Sequence, residues 1–141
     1  MDLMPLGEID LTYTTLTSLD YGSDGQLYGR LDGTLVGDRL TGELHLTNLA
    51  GRRADNVNLP TLRGLLTTQD QATVWIESDG IATLRPSDEA RVFVTTFRFR
   101  TGDDRYAWLN IMFGVLEGVL DSVGPGGRAR GRLFECRATI S

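Results

Sequence analysis

The chain has 141 residues, enough for one domain with a real core, and its 40% hydrophobic and 23% charged content is that of a globular protein. Lys+Arg 14 against Asp+Glu 19 gives a net charge of -5, which lacks the basic footprint a phosphate backbone requires, so nucleic acid is not an expected partner. All the basic residues are Arg, which excludes a Schiff-base lysine, a pyridoxal phosphate anchor and a P-loop lysine; a single Cys136 and a single His45 exclude an intrachain disulfide, a Cys/His zinc cluster and a two-histidine metal site.

Met1 to Leu19 carries Asp2, Glu8 and Asp10 and no long apolar run, and no later stretch approaches the roughly 18 apolar residues of a spanning helix. A soluble, cytoplasmic chain without a membrane partner is therefore expected. Apolar residues recur with period 2 from the first strand, about Leu6 to Thr17, onward, and Gly, Asp and Pro punctuate them at short intervals.

From Gln26 to Asn48, Leu27, Leu31 and Leu35 alternate with polar residues, Gly37-Asp38 interrupts, and Leu40, Leu44 and Leu46 alternate again. A two-residue turn there pairs Leu35 with Leu40, Leu31 with Leu44, Arg30 with His45 and Asp32 with Glu43, all leucines sharing one face with Gly29, Gly33 and Gly42. The missing side chains let the sheet bend as a small barrel must. His45, beside Asp32 and Glu43, has the surroundings of an acid/base group, but the leucines claim the core side and leave it on a solvated face. Asp20, Asp24 and Asp32 do not keep EF-hand spacing and read as turn and strand acids.

Asn48 to Asn56 reads as a loop, Leu62 to Thr68 and Ala72 to Ser78 as strands joined near Gln69-Asp70, and Ile81 to Leu84 as a short strand ended by Pro86. A second hairpin spans Arg91 to about Gly118, with its turn at Gly102 to Asp104. Gly124-Pro125-Gly126-Gly127-Arg128-Ala129 mimics a dinucleotide fingerprint, yet it precedes a strand where the pyrophosphate needs a helix N-terminus. The last strand, Arg128 to Ile140, carries Cys136 on its apolar side as a small hydrophobe, and no Gly-x-Ser-x-Gly elbow occurs. The expected fold is all-β: one domain over residues 1–141, an eight- or nine-stranded antiparallel up-and-down barrel with little helix.

The second hairpin carries the candidate chemistry. Phe93, Phe97, Phe99, Leu109, Ile111 and Phe113 fall on one face, and Thr96, Arg98, Arg100, Tyr106, Trp108 and Asn110 on the other, with Arg98 directly opposite Trp108. On a luminal face, an Arg would anchor a carboxylate or enolate oxygen, Tyr106 and Asn110 would donate to developing charge, and Trp108 would stack on a ring. With the Phe face inward instead, the polar face becomes solvent surface or an oligomer contact, and periodicity leaves both assignments open.

Phe99 to Asn110, with Thr101-Gly102-Asp103 leading into Tyr106-Ala107-Trp108-Leu109-Asn110, resembles the signature segment of the bacterial and fungal proteins grouped as domain of unknown function 3237. The Gly-rich strand pair from Gly29 to Gly42 and Gly80 after the middle strands are similar too. The resemblance implies a small antiparallel barrel of calycin or allene-oxide-cyclase-like shape; barrels of that shape bind or cyclise small organic molecules. Of the family's Asp, Arg and Tyr in the middle strand, Arg63 is kept, while Thr61 and Gly64 stand at the other two places.

The expected function is binding of a small, largely apolar molecule bearing a carbonyl or carboxylate, with cofactor-free and metal-free isomerisation, cyclisation or elimination. Arg98, Tyr106 and Asn110 are the catalytic candidates; Trp108, Arg63 and Arg100 are the binding ones. The alternative is a ligand carrier without turnover, or a structural oligomer whose barrel is filled by its Phe side chains. A homo-oligomer is expected in either case, because whichever face of the second hairpin lies outside carries several aromatic residues.

Overall fold

Eight of the alternating segments become long strands that pair only with antiparallel neighbours, and the last closes against the first. The structure is a computed structural model and describes residues 1–140. The barrel runs β1 (Asp2–Asp20), β2 (Gly25–Val36), β3 (Gly42–Asn48), then, past the two short strands β4 (Gly51–Arg52) and β5 (Asn58–Leu59), β6 (Thr61–Thr68), β7 (Thr73–Leu84), β8 (Arg91–Arg100), β9 (Phe113–Leu120) and β10 (Arg128–Arg137). β4 and β5 form a strap that bridges from the start of β2 to the end of β7 across one mouth of the barrel. Closure leaves no long unpaired edge, the condition under which so short a chain can expose alternating polar residues on every strand.

The leucine face does point inward: Leu35, Leu44, Leu66, Val74, Ile76 and Leu133 are fully buried. Where β2 crosses β1, a Cβ on Gly33 would stand 1.8 Å from the Asp10 carbonyl oxygen, so the close approach requires glycine. Two registers differ from expectation. The turn at Gly37-Asp38 spans Gly37 to Thr41, which shifts the pairing by two to Leu35 with Gly42, Leu31 with Leu46 and Asp32 with His45. Thr41 Oγ1 holds this wider turn by accepting from the Gly37 N–H and donating to the Gly37 carbonyl, and Leu40 folds inward to cap the core rather than extending the strand. A shift of two preserves the faces, so the pattern alone could not register it.

The second hairpin is broken by a 3-10 helix over Asp104–Ile111, where continuous strand was expected. Asp103 caps that helix by accepting from the Arg105 N–H at 2.9 Å, and local capping wins over a period-2 run too short to pair. β8 and β9 consequently meet as Phe97 with Gly114 and Phe93 with Gly118. Phe93, Phe97, Phe99 and Leu109 point inward, Phe97 and Phe99 lying 5.2 Å apart between ring centres, whereas Ile111 and Phe113, expected on the same face, are exposed because the helix breaks the alternation. Arg98 lies opposite Glu77 of β7 and not opposite Trp108. Ile81 to Leu84 is the continuation of β7, not a separate strand.

Candidate functional site

Strand parity selects what enters the lumen at the strap end. Tyr13 continues the inward series Ile9, Leu11; Asn48 continues Leu44, Leu46; Ser78 continues Val74, Ile76; Arg91 and Thr95 alternate with Phe93 and Phe97. Asn58 reaches the same space from the strap. Tyr13, Asn48, Asn58 and Arg91 are 4%, 6%, 5% and 7% exposed, so their polar groups must be answered inside the protein or by a ligand. They line a cavity of about 60 Å³ walled by Leu31, Phe93 and Leu116 among others; counting the open mouth, the atom-free space is about 680 Å³. That volume fits a few waters or one small flat group, and anything larger extends through the mouth.

Asn48 Nδ2 donates to the Tyr13 hydroxyl oxygen at 2.8 Å, while its Oδ1 accepts from the Thr61 N–H at 3.1 Å, which fixes the amide. Among the described residues no acceptor engages the Tyr13 hydroxyl hydrogen. Burial pushes this phenol above its ordinary range, partly offset by the Asn48 bond, so it stays protonated at neutral pH and acts as a donor. Ser78 and Thr95 satisfy each other at 2.9 Å. Arg91 donates to the Asn56 carbonyl and side-chain oxygens at 2.5 and 3.0 Å, and among the described residues no carboxylate lies within ion-pair distance of it. Burial, and secondarily the Arg52 cation, depress its pKa, the mark of a guanidinium lacking a counter-charge.

The six residues expected to form the site do not meet in the lumen. Arg98 is exposed on the outer face of β8, 3.1 Å from Glu77. Arg100 is exposed on the same face. Arg63 makes a bidentate pair with Asp79, both contacts 3.2 Å, on the outside of β6. Tyr106, Trp108 and Asn110 belong to the 3-10 helix at the opposite end. There Tyr106 donates to Asp70 at 2.8 Å, the Arg39 guanidinium sits 4.0 Å above the Trp108 ring, and Asn110 pairs with the backbone of Thr101 through both amide atoms. Trp108 is thus half-buried against Arg39, and the outer face of the second hairpin carries Val92, Val94, Arg98 and Arg100 on β8 and the exposed Phe113 at the start of β9. His45 is exposed, 2.7 Å from Asp32. Tyr13, Asn48 and Arg91 escaped notice because each looks like a polar residue ending an apolar run, although each keeps the parity of that run. Among the described residues no three His, Cys, Asp or Glu side chains are grouped to hold a metal ion, and no helix is long and apolar enough to cross a membrane.

No family model matches the chain, and no curated protein matches it. Several solved structures do. A β-barrel-like protein from Acinetobacter baumannii AYE superposes with TM-score 0.81 at 16% identity over 96% of both chains. A conserved protein of unknown function from Rhodopseudomonas palustris gives 0.79 at 17% identity, covering 95% of this chain and 96% of that one. An enzyme from Penicillium herquei gives 0.69 at 19% identity, covering 94% and 93%. At these identities the likeness is one of fold: the chain shares its β-barrel with uncharacterised proteins and with one enzyme.

Proposed function

We propose that the lumen binds a small, largely apolar molecule whose oxyanion, a carboxylate or an enolate, is held by Arg91. The observation that carries this is a buried guanidinium at the mouth of an apolar cavity with no carboxylate among the described residues to balance it. Such a cation costs stability in an empty protein and gains it back from an anion. The free Tyr13 hydroxyl hydrogen would add a second donor, so negative charge growing on a carbonyl oxygen of the bound molecule would be stabilised by groups already in place. The apolar walls would hold one conformer of the ligand, which suits a cofactor-free cyclisation or isomerisation.

Among the described residues no Asp, Glu, His or Cys lines the cavity. A step needing a strong base from the protein is therefore disfavoured. A ring closure in which the substrate supplies its own nucleophile, while Tyr13 and Arg91 assist the electrophile, fits the lining better. The same lack of a base supports a second reading, a carrier without turnover.

The test is titration of benzoate and cinnamate into the protein, followed by backbone amide shifts, beside the Arg91→Met variant. Arg91→Met should weaken both probes at least about tenfold while leaving Tm unchanged or higher, because an unbalanced buried charge is replaced by a side chain of similar length. Equal affinity in variant and parent would remove the luminal anion site.

A further inference from the structure

The outer positions of the barrel are not alike. On β3 they are Glu43, His45 and Thr47, the polar set that a solvated face requires. On β9 they are Phe113, Val115, Glu117 and Val119, and toward the helix end of β10 they become Phe134 and Cys136. Leu3 of β1 and Val94 of β8 flank these two strands, each 54% exposed, and Phe113 is 46% exposed. A contiguous apolar face of this kind on an otherwise polar wall marks a contact surface.

Register decides what covers it. Across the seam between β9 and β10, Phe113 lies beside Cys136, Val115 beside Phe134, Glu117 beside Arg132 and Val119 beside Arg130. A two-fold axis running along that seam sets β9 of one copy over β10 of the other at the same height. Apolar side chains then meet apolar ones at the helix end, the Arg130 stem covers Val119, and each Glu117 carboxylate meets the Arg132 guanidinium of the other copy. Within one chain Glu117 and Arg132 are 3.2 Å apart with side chains 53% and 68% exposed, so both have room for a second partner. Charge also favours a second copy at this place. The chain carries a net charge of -5, yet the groove beside the seam sets Glu8, Asp10 and Glu117 against Arg128, Arg130 and Arg132. Two acidic chains meet there without net repulsion.

We infer that two copies of this chain pair through the outer face of β9 and β10, in an isologous contact that is apolar at the helix end and closed by reciprocal Glu117 to Arg132 pairs. The contact lies on the outer wall and is independent of the luminal reading above. Light scattering at micromolar concentration should return two chains, or an even multiple, for the parent, and Phe113→Asp should lower that mass at least twofold. Glu117→Arg and Arg132→Glu each place like charges across the seam, so each alone should lose the contact; mixed in equal amounts they should recover the parent mass, because each then meets the opposite charge on the other chain. The substituted side chains are exposed, and far-UV circular dichroism checks that each variant keeps the parent fold. A single-chain parent overturns the inference, including the case in which it pellets with phosphatidylglycerol vesicles and Phe113→Asp does not, which would assign the face to a lipid surface. An oligomer that survives Phe113→Asp and both charge variants overturns it by placing the contact elsewhere. Charge variants that dissociate and do not recombine overturn it as well, since the reciprocal pairing is then absent.

Discussion

The two ends of the barrel carry the same three residue types and use them differently. At the helix end, Arg105, Tyr106 and Asn110 are answered within the protein: Arg105 and Tyr106 bond Asp70 in the turn between β6 and β7, and Asn110 bonds Thr101. Arg39 adds a further tie, resting on Trp108 and lying 3.7 Å from Glu135 of β10. At the strap end, among the described residues, Arg91 has no carboxylate within ion-pair distance, Tyr13 has a free hydroxyl hydrogen, and Asn58 has a bare oxygen. Residue type does not distinguish a plug from a site; the count of unmet partners does. The helix closes the barrel around Leu109, which is fully buried, whereas the strap spans its mouth and leaves a cavity behind it.

Breaking the plug should be the most damaging change. Leu109→Ala removes a fully buried side chain at the base of the core and should cost about 2–5 kcal/mol, a fall in Tm of roughly 6–15 °C at about 3 °C per kcal/mol. Benzoate affinity measured well below the transition should stay within about twofold, because the cavity is at the other end. Thermal melts and titrations on the one variant check both halves. An unchanged Tm would mean that the helix stands outside the cooperative core.

This division between the ends was only half legible in the sequence. Period 2 and glycine placement suffice for an all-β barrel with its leucines inward, because those features obey the pleat of the chain itself. The helix was hidden because Tyr106 to Ile111 also alternates, and the deciding contact is the Asp103 cap, which a period count does not weigh. The site was hidden for a different reason. Polar residues usually mark the outer face, so Arg91, Asn48 and Tyr13 draw no attention until the parity of Phe93, Leu46 and Leu11 is carried one step further along each strand. Asn58 lies in a two-residue strand, and only the long-range pairing with Ala82 brings it over the lumen.

Acid should loosen the plug in a narrower way. Hydrogen bonds from Thr68 and then Tyr106, with the Arg105 charge beside them, hold Asp70 below the usual aspartate range; Arg105 does the same for Asp103. A carboxylate depressed in the folded state contributes stability that is complete above its unfolded value, near 4, and is lost as pH falls through its folded value. Tryptophan fluorescence against pH should therefore be flat from neutrality to about pH 4, and then report loosening around Trp108. At the strap end, the Arg85 hydrogen bonds hold Asp88 down to about 2, so the turn it closes should persist on acidification until the pH nears that value.

The smallest effect should come from Arg98→Ala. The side chain is exposed, and the Glu77 carboxylate it pairs with is shared with Arg63, whose Nε lies 3.6 Å from it. Exposed pairs of this sort contribute about 0–1 kcal/mol, so Tm should move by no more than about 3 °C. Benzoate affinity should also hold within about twofold, since Arg98 faces solvent on the far side of the β8 backbone from Phe97 and the lumen. The variant thus separates two of the three arginines of β8: Arg91, inward and unbalanced, should control anion binding, and Arg98, seven positions on and of opposite parity, should not. A tenfold loss of benzoate binding in Arg98→Ala would move the site to the outer face and leave the open lumen without a ligand.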